Sequence, residues 1–134
     1  ESEKYDAMLA ATVALATSGT VSSELAVAGV PMVIGYRFQP LSYAIMRPFF
    51  TGKYATLFNH AADEEIAREL IQDDATPEKF AAEVGRLLGD PEARRAQAIR
   101  QTEALDLMGR HGRHPSEIAA DTVLRVIAAK TTGR

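Results

Sequence analysis

The chain has 134 residues, 46% of them apolar, 25% charged, with a net charge of −3 and no cysteine. That composition excludes a disordered chain, and the missing thiols exclude disulfide scaffolds, thiolate metal sites and cysteine nucleophiles. The slight acidic excess, with no basic run longer than Arg94-Arg95, argues against a nucleic-acid partner.

Elements follow in chain order. The first residues, Glu-Ser-Glu-Lys-Tyr-Asp, have neither the basic nor the apolar segment of a signal peptide. The longest uncharged run, Ala7–Ser23, contains Gly19 and several hydroxyl residues, which makes it a poor membrane span. Within it, residues 11–17 read as a buried strand ending at the turn signal Ser18-Gly19. Residues 20–28 read as a helix, with Val21, Leu25 and Ala28 at helical spacing and Gly29 beyond its end. A second strand is expected at 31–36, a short helix at 40–47 and a third strand at 54–58. Continuous apolar strands alternating with helices predict a parallel sheet with right-handed crossovers.

The second half reads as successive helices. Residues 63–71 place Ile66, Leu70 and Ile71 on one face. Thr76-Pro77 and Asp90-Pro91 each combine an N-cap residue with Pro at the first helical position. The first of these helices is expected to turn Phe80, Val84, Leu87 and Leu88 inward. The second, to about Met108, carries Ile99, Leu105 and Met108 among many charges and is expected to be mostly exposed. A break at 109–114 precedes a last helix from Pro115. The spacing of His60, His111 and His114 makes no metal site.

The segment Thr17-Ser18-Gly19-Thr20-x-x-x-Glu24 stands out. It lies at the carboxyl end of a candidate parallel strand, where open α/β sheets bind ligands. Gly19 admits close backbone approach, and the first N–H groups of the following helix form an anion site. Ser18 and Thr20 add hydroxyls. Glu24, one turn on, suits sugar hydroxyls. The set fits a nucleotide diphosphate-sugar, although the same residues also serve as an ordinary N-cap with a dipole-compensating Glu.

These residues, together with 28–33, Tyr36-Arg37, Pro40-Leu41-Ser42-Tyr43, Asn59 and Glu69-Leu70-Ile71-Gln72, resemble the lipid-A-disaccharide synthases over about residues 12–90. The resemblance implies an α/β fold: part of a Rossmann-like carboxyl-terminal domain of the GT-B type, about three parallel strands with helices and a helical tail. Residues 1–134 would form one partial UDP-sugar-binding domain, with a strand–helix–strand part at 1–60 and a helical part at 61–134. The family transfers diacylglucosamine from UDP to a lipid monosaccharide phosphate, lipid X, in lipid A biosynthesis.

The resemblance further implies that Ser18, Gly19 and Thr20 lie at the diphosphate and Glu24 at the ribose. Arg37 and Asn59 would line the cleft near the donor, with Gln72 and Glu69 on its wall. It implies no metal, no cofactor, a cytoplasmic location and peripheral contact with the inner membrane, for which Phe49-Phe50 is a candidate surface. The family's amino-terminal domain, which carries the catalytic base, is not in this sequence. The chain is therefore expected to be a carboxyl-terminal piece, inactive in transfer by itself. One departure is clear: Asp63-Glu64 stands where the family has Gly-Arg. That departure supports a second reading, a non-catalytic α/β interaction module with a degenerate nucleotide site. A third is the donor domain of another GT-B transferase. A short sheet with open edges also invites self-association into a homo-oligomer.

Overall fold

A computed structural model describes residues 2–39, 52–110 and 112–132. The expected helix at 40–47, the Pro40–Tyr43 motif and Phe49-Phe50 lie outside the described residues.

The chain begins with helix α1 (Ser2–Ala10), which the sequence reading left without an element. Strand β1 (Ala14–Ala16) leads into α2 (Thr20–Val27) and then β2 (Met32–Tyr36). The two strands pair in parallel, Leu15 opposite Val33. This part follows the expectation, with β1 shorter than the apolar run that encodes it.

The third strand is not where the apolar run 54–58 placed it. Residues Leu57–Ala62 form helix α3, and β3 is Glu69–Ile71, inside the segment read as a helix. Two physical reasons account for the exchange. Ile66, Leu70 and Ile71 satisfy helical spacing, but an apolar run this short fits a strand equally well. The backbone amides of Ala55 and Thr56 are also taken by the carboxylate of Glu69 at 2.7 and 2.9 Å, and so are not offered to a neighbouring strand. β3 pairs in parallel with β2, Gly35 opposite Leu70, giving the sheet order β1-β2-β3.

A one-turn 3-10 helix (Gln72–Asp74) follows, then α4 (Pro77–Gly89), α5 (Pro91–Leu107) and α6 (Pro115–Thr132). The two Pro-initiated helices are capped as their sequences require. Thr76 Oγ1 accepts from the amide of Lys79, and the Asp90 carboxylate accepts from that of Ala93 at 3.0 Å.

The sheet is covered on both faces. On one side Leu25 and Ala26 of α2, Phe58 of α3 and Leu105 of α5 close over Met32 and Ile34. On the other, Leu87, Val84 and Phe80 of α4 cover Val33 and Leu70. The Phe80 ring lies directly on β2: a Cβ at Gly35 would stand 2.5 Å from Phe80 Cζ.

Helix α5 differs from its hydropathy. Ile99 and Met108 are exposed, in keeping with a helix expected to be mostly exposed, whereas Gln97 and Gln101 are buried beside Ala104 and Leu105. Their amides donate to the main-chain oxygens of Met32 at 2.8 Å and Val30 at 3.3 Å. The interior wants donors there, and two glutamines one turn apart supply them. In α4, Leu88 is exposed while Leu87 is buried. Ile118, Val123, Leu124, Val126 and Ile127 of α6 are exposed among the described residues. Among those residues no helix is long and apolar enough to cross a membrane.

Asp63 sits just past α3 with φ 49 and ψ 35, a left-handed conformation that glycine adopts without cost. This is the position where the resembled family carries Gly. The neighbouring Glu64 pairs with Arg100. Asp63→Gly is expected to stabilise the fold by about 0.5–1 kcal/mol, since an L side chain is strained there. Urea unfolding checks this, and a lowered midpoint would contradict it.

Candidate functional site

The carboxyl ends of the three parallel strands share one edge of the sheet. There the chain sets out Thr17–Thr20 after β1, Arg37 after β2 and Gln72 after β3. A ligand entering the crevice outside the strand ends meets these residues first.

The loop after β1 is built around Gly19, whose φ of 138 and ψ of −153 fall in a region open essentially to glycine alone. Ser22, buried in the first turn of α2, fixes this turn. Its hydroxyl accepts from the Gly19 amide at 3.2 Å and donates to the Gly19 carbonyl at 2.7 Å. The amides that open α2 have no partner within the helix, so this loop presents the helix's positive end at the sheet edge.

The expected residues divide between two depressions. Thr17 and Arg37 line a cleft of about 470 Å³ together with Gly35, Tyr36 and Phe80. Thr20 and Glu24 line a neighbouring groove of about 480 Å³ with Tyr5, Leu9 and Val27. Arg37 is exposed on the first. Glu24 is engaged on the second: its Oε1 accepts from Lys4 Nζ at 2.8 Å and from the Tyr5 hydroxyl at 3.3 Å. The Lys4 hydrogen bond holds the Glu24 carboxyl below the usual carboxylate range, against a smaller opposing effect of desolvation.

Three expected residues act at a remove from the cleft. Ser18, expected at the diphosphate, donates its hydroxyl proton to the carbonyl of Ala55 at 2.6 Å. Asn59, expected to line the cleft, is completely buried. Its Nδ2 donates to Ala67 O and Glu69 Oε1, both at 2.8 Å, and its Oδ1 accepts from the amides of Ile66 and Ala67. Glu69, expected on the wall, is half-buried and accepts from Ala55 N, Thr56 N, Thr56 Oγ1 and Asn59 Nδ2. A continuous path thus runs from β3 through Glu69 to Ala55 and on to Ser18. Gln72 takes a left-handed conformation, φ 56, and its Oε1 accepts from the Phe38 amide at 2.6 Å. It thereby fixes the segment that carries Arg37.

Sequence reasoning missed Lys4, Tyr5, Thr56 and Phe80 as contributors to this region. The only advance signal was Tyr5, Met8 and Leu9 at helical spacing, which marks α1 but not its reach to Glu24. Among the described residues no three His, Asp or Glu side chains come together as metal ligands do.

The sequence profile described as Lipid-A-disaccharide synthetase matches residues 1–123. The chain belongs to the lipid-A-disaccharide synthetase family. The lipid-A-disaccharide synthase of Rhodospirillum centenum is 45% identical over 130 residues, covering 97% of this chain and 32% of that protein. That of Paramagnetospirillum magneticum is 46% identical over 127 residues, covering 93% and 33%. That of Geobacter metallireducens is 40% identical over 129 residues, covering 94% and 32%. The chain therefore spans about a third of the length of these family members.

The Asn59–Glu69 network predicts a clear separation of structural from ligand-facing carboxylates. Glu69→Gln places an amide donor against donors and is expected to cost about 1–3 kcal/mol, the range for a buried polar group left unsatisfied. Glu24→Gln is expected to leave the urea midpoint unchanged. Equal effects from the two substitutions would contradict this division.

Proposed function

We propose that this chain is the UDP-sugar-binding portion of a GT-B glycosyltransferase. The whole protein would transfer diacylglucosamine from UDP to the lipid monosaccharide phosphate lipid X in lipid A biosynthesis. Residues 1–134 are read as one partial domain of that protein. What carries the reading is the family membership combined with the Gly19 loop, which opens a helix at the carboxyl edge of a parallel sheet beside Arg37.

In this reading the diphosphate lies on the opening amides of α2, with Gly19 allowing the close approach and Thr20 adding a hydroxyl. Arg37 supplies a fixed positive charge as the bond from the anomeric carbon to the UDP oxygen breaks. The UDP leaves with the electron pair, and the charge it gains is largest in the transition state. Glu24 accepts from the ribose hydroxyls. Ser18, Asn59, Glu69 and Gln72 hold the two loops in place. The lipid acceptor's hydroxyl oxygen would form the new bond to the anomeric carbon, and the base that takes its proton, like the acceptor's binding site, would lie in the remaining two-thirds of the family's length. Both substrates carry acyl chains, which supports a cytoplasmic protein in peripheral contact with the inner membrane. β1 is an edge strand of the described sheet, which supports pairing with a further strand or a second copy.

Titration of the isotope-labelled chain with UDP, followed by NMR, tests this. Millimolar or tighter binding is expected, with shifts at residues 17–24 and at Arg37. Arg37→Ala should weaken it about tenfold, the worth of one charge-assisted contact. Glu24→Ala should weaken it to what the diphosphate contacts alone supply. An absence of shifts in excess UDP would overturn the reading in favour of a non-catalytic interaction module. Preference for GDP or TDP would reassign the donor.

A further inference from the structure

Glu24 is the only charged residue of α2, and α2 contains no cation to orient it. The groups that face its carboxylate come from α1, some twenty residues earlier in the chain. Lys4 Nζ lies 2.8 Å from Oε1 and the Tyr5 hydroxyl 3.3 Å from the same oxygen. Lys4 Nζ also stands 4.8 Å from the centroid of the Tyr5 ring, so the cation is held over the aromatic face while it bonds the carboxylate. The Glu24 side chain is 21% exposed and Lys4 47%.

The asymmetry of this arrangement is informative. Both donors converge on Oε1. Oε2 receives no hydrogen bond from the protein among the described residues, and Glu24 borders the groove shared with Thr20 and Leu9. A carboxylate pinned through one oxygen has its other oxygen fixed in space. It can then accept from a ligand hydroxyl without first losing rotamer freedom. A purely stabilising pair at a half-exposed site has little to gain from two donors on one atom, because exposed ion pairs contribute little to folding.

We infer that Lys4 and Tyr5 are positioning residues: they clamp Oε1 of Glu24 so that Oε2 is presented to the ribose hydroxyls of a bound nucleoside diphosphate. This rests on the proposed UDP-binding role of the site and adds its source of sugar selectivity. The clamp also keeps the acceptor ionised. Lys4 and Tyr5 of α1 are the charged and titratable groups that act on it, Lys4 foremost.

The test compares UDP with 2′,3′-dideoxy-UDP by calorimetry on the full chain, across pH 4 to 8, with circular dichroism confirming the fold of each variant. Wild type should prefer UDP. Glu24→Gln should erase the preference. Lys4→Met, which keeps the aliphatic stem, should lower UDP affinity about fivefold, an effect of the size of one hydrogen bond, with dideoxy-UDP unaffected. Tyr5→Phe should act in the same direction more weakly, and Lys4→Arg should restore wild-type behaviour. The pH arm has a definite sign. The preference requires ionised Glu24, so it fades as pH falls through the carboxyl's pKa. Removing Lys4 lets that pKa rise, so in Lys4→Met the preference fades at higher pH than in wild type.

If wild type binds no UDP, the proposed function falls and this inference with it. If wild type binds both ligands equally, the ribose role of Glu24 fails while diphosphate binding stands. If Glu24→Gln loses the preference but Lys4→Met and Tyr5→Phe retain it with an unshifted pH profile, only the positioning role is overturned. Should Lys4→Met fail to fold, the Lys4→Arg and Tyr5→Phe arms decide the matter by the same readouts.

Discussion

The Glu69 carboxylate is the interaction on which the site's geometry depends. It sits on β3 opposite Ile34, and it gathers donors from a segment with no regular structure of its own. Two main-chain amides, a hydroxyl and the buried amide of Asn59 meet on its two oxygens. Every one of these partners donates, so both oxygens of the group are used as acceptors. The consequence travels outward. With 55–56 fixed, the Ala55 carbonyl becomes a fixed acceptor for Ser18, and the turn around Gly19 acquires a support from outside its own β–α unit. Just past the end of β3, Gln72 does the same for the segment after β2. The two loops that face the cleft are thus both held by polar side chains from β3 and its continuation.

This division of labour explains which parts of the molecule were legible in the sequence. Local signals were read correctly where local physics decides the outcome. Thr76-Pro77 and Asp90-Pro91 start helices because the cap and the fixed φ of proline act within one turn. Ser18-Gly19 ends β1 because few residues other than glycine tolerate the backbone that follows. β3 and α3 were misplaced because their identity is settled by partners far along the chain. Glu69-Leu70-Ile71 is a strand because β2 pairs with it, and 54–56 is irregular because a carboxylate captures its amides. Neither fact leaves a periodic trace.

The site was legible as a set of residues but not as a set of roles. Gly19, Thr20, Glu24 and Arg37 stand at or beside the sheet's carboxyl edge. Asn59 and Glu69 belong to the same network but face inward, and a motif cannot distinguish a residue that touches a ligand from one that holds its neighbour. Lys4 was invisible for a related reason: a single lysine in a weakly amphipathic helix gives no hint of a carboxylate twenty residues on.

Helix α5 carries one consequence further. Gln97 and Gln101 meet the oxygens of Met32 in β2 and Val30 just before it, so the helix is seated by two specific acceptors as well as by the apolar contacts of Ala104 and Leu105. Such a seat is keyed lengthwise. A slide of one helical turn, which an apolar face would tolerate, strands carbonyl groups in a dry interior. The helix that looks most dispensable by hydropathy is therefore a register pin for the central strand. Trimming the chain at the glycine before it would admit water to the entrance of the sheet at the opposite end from the cleft.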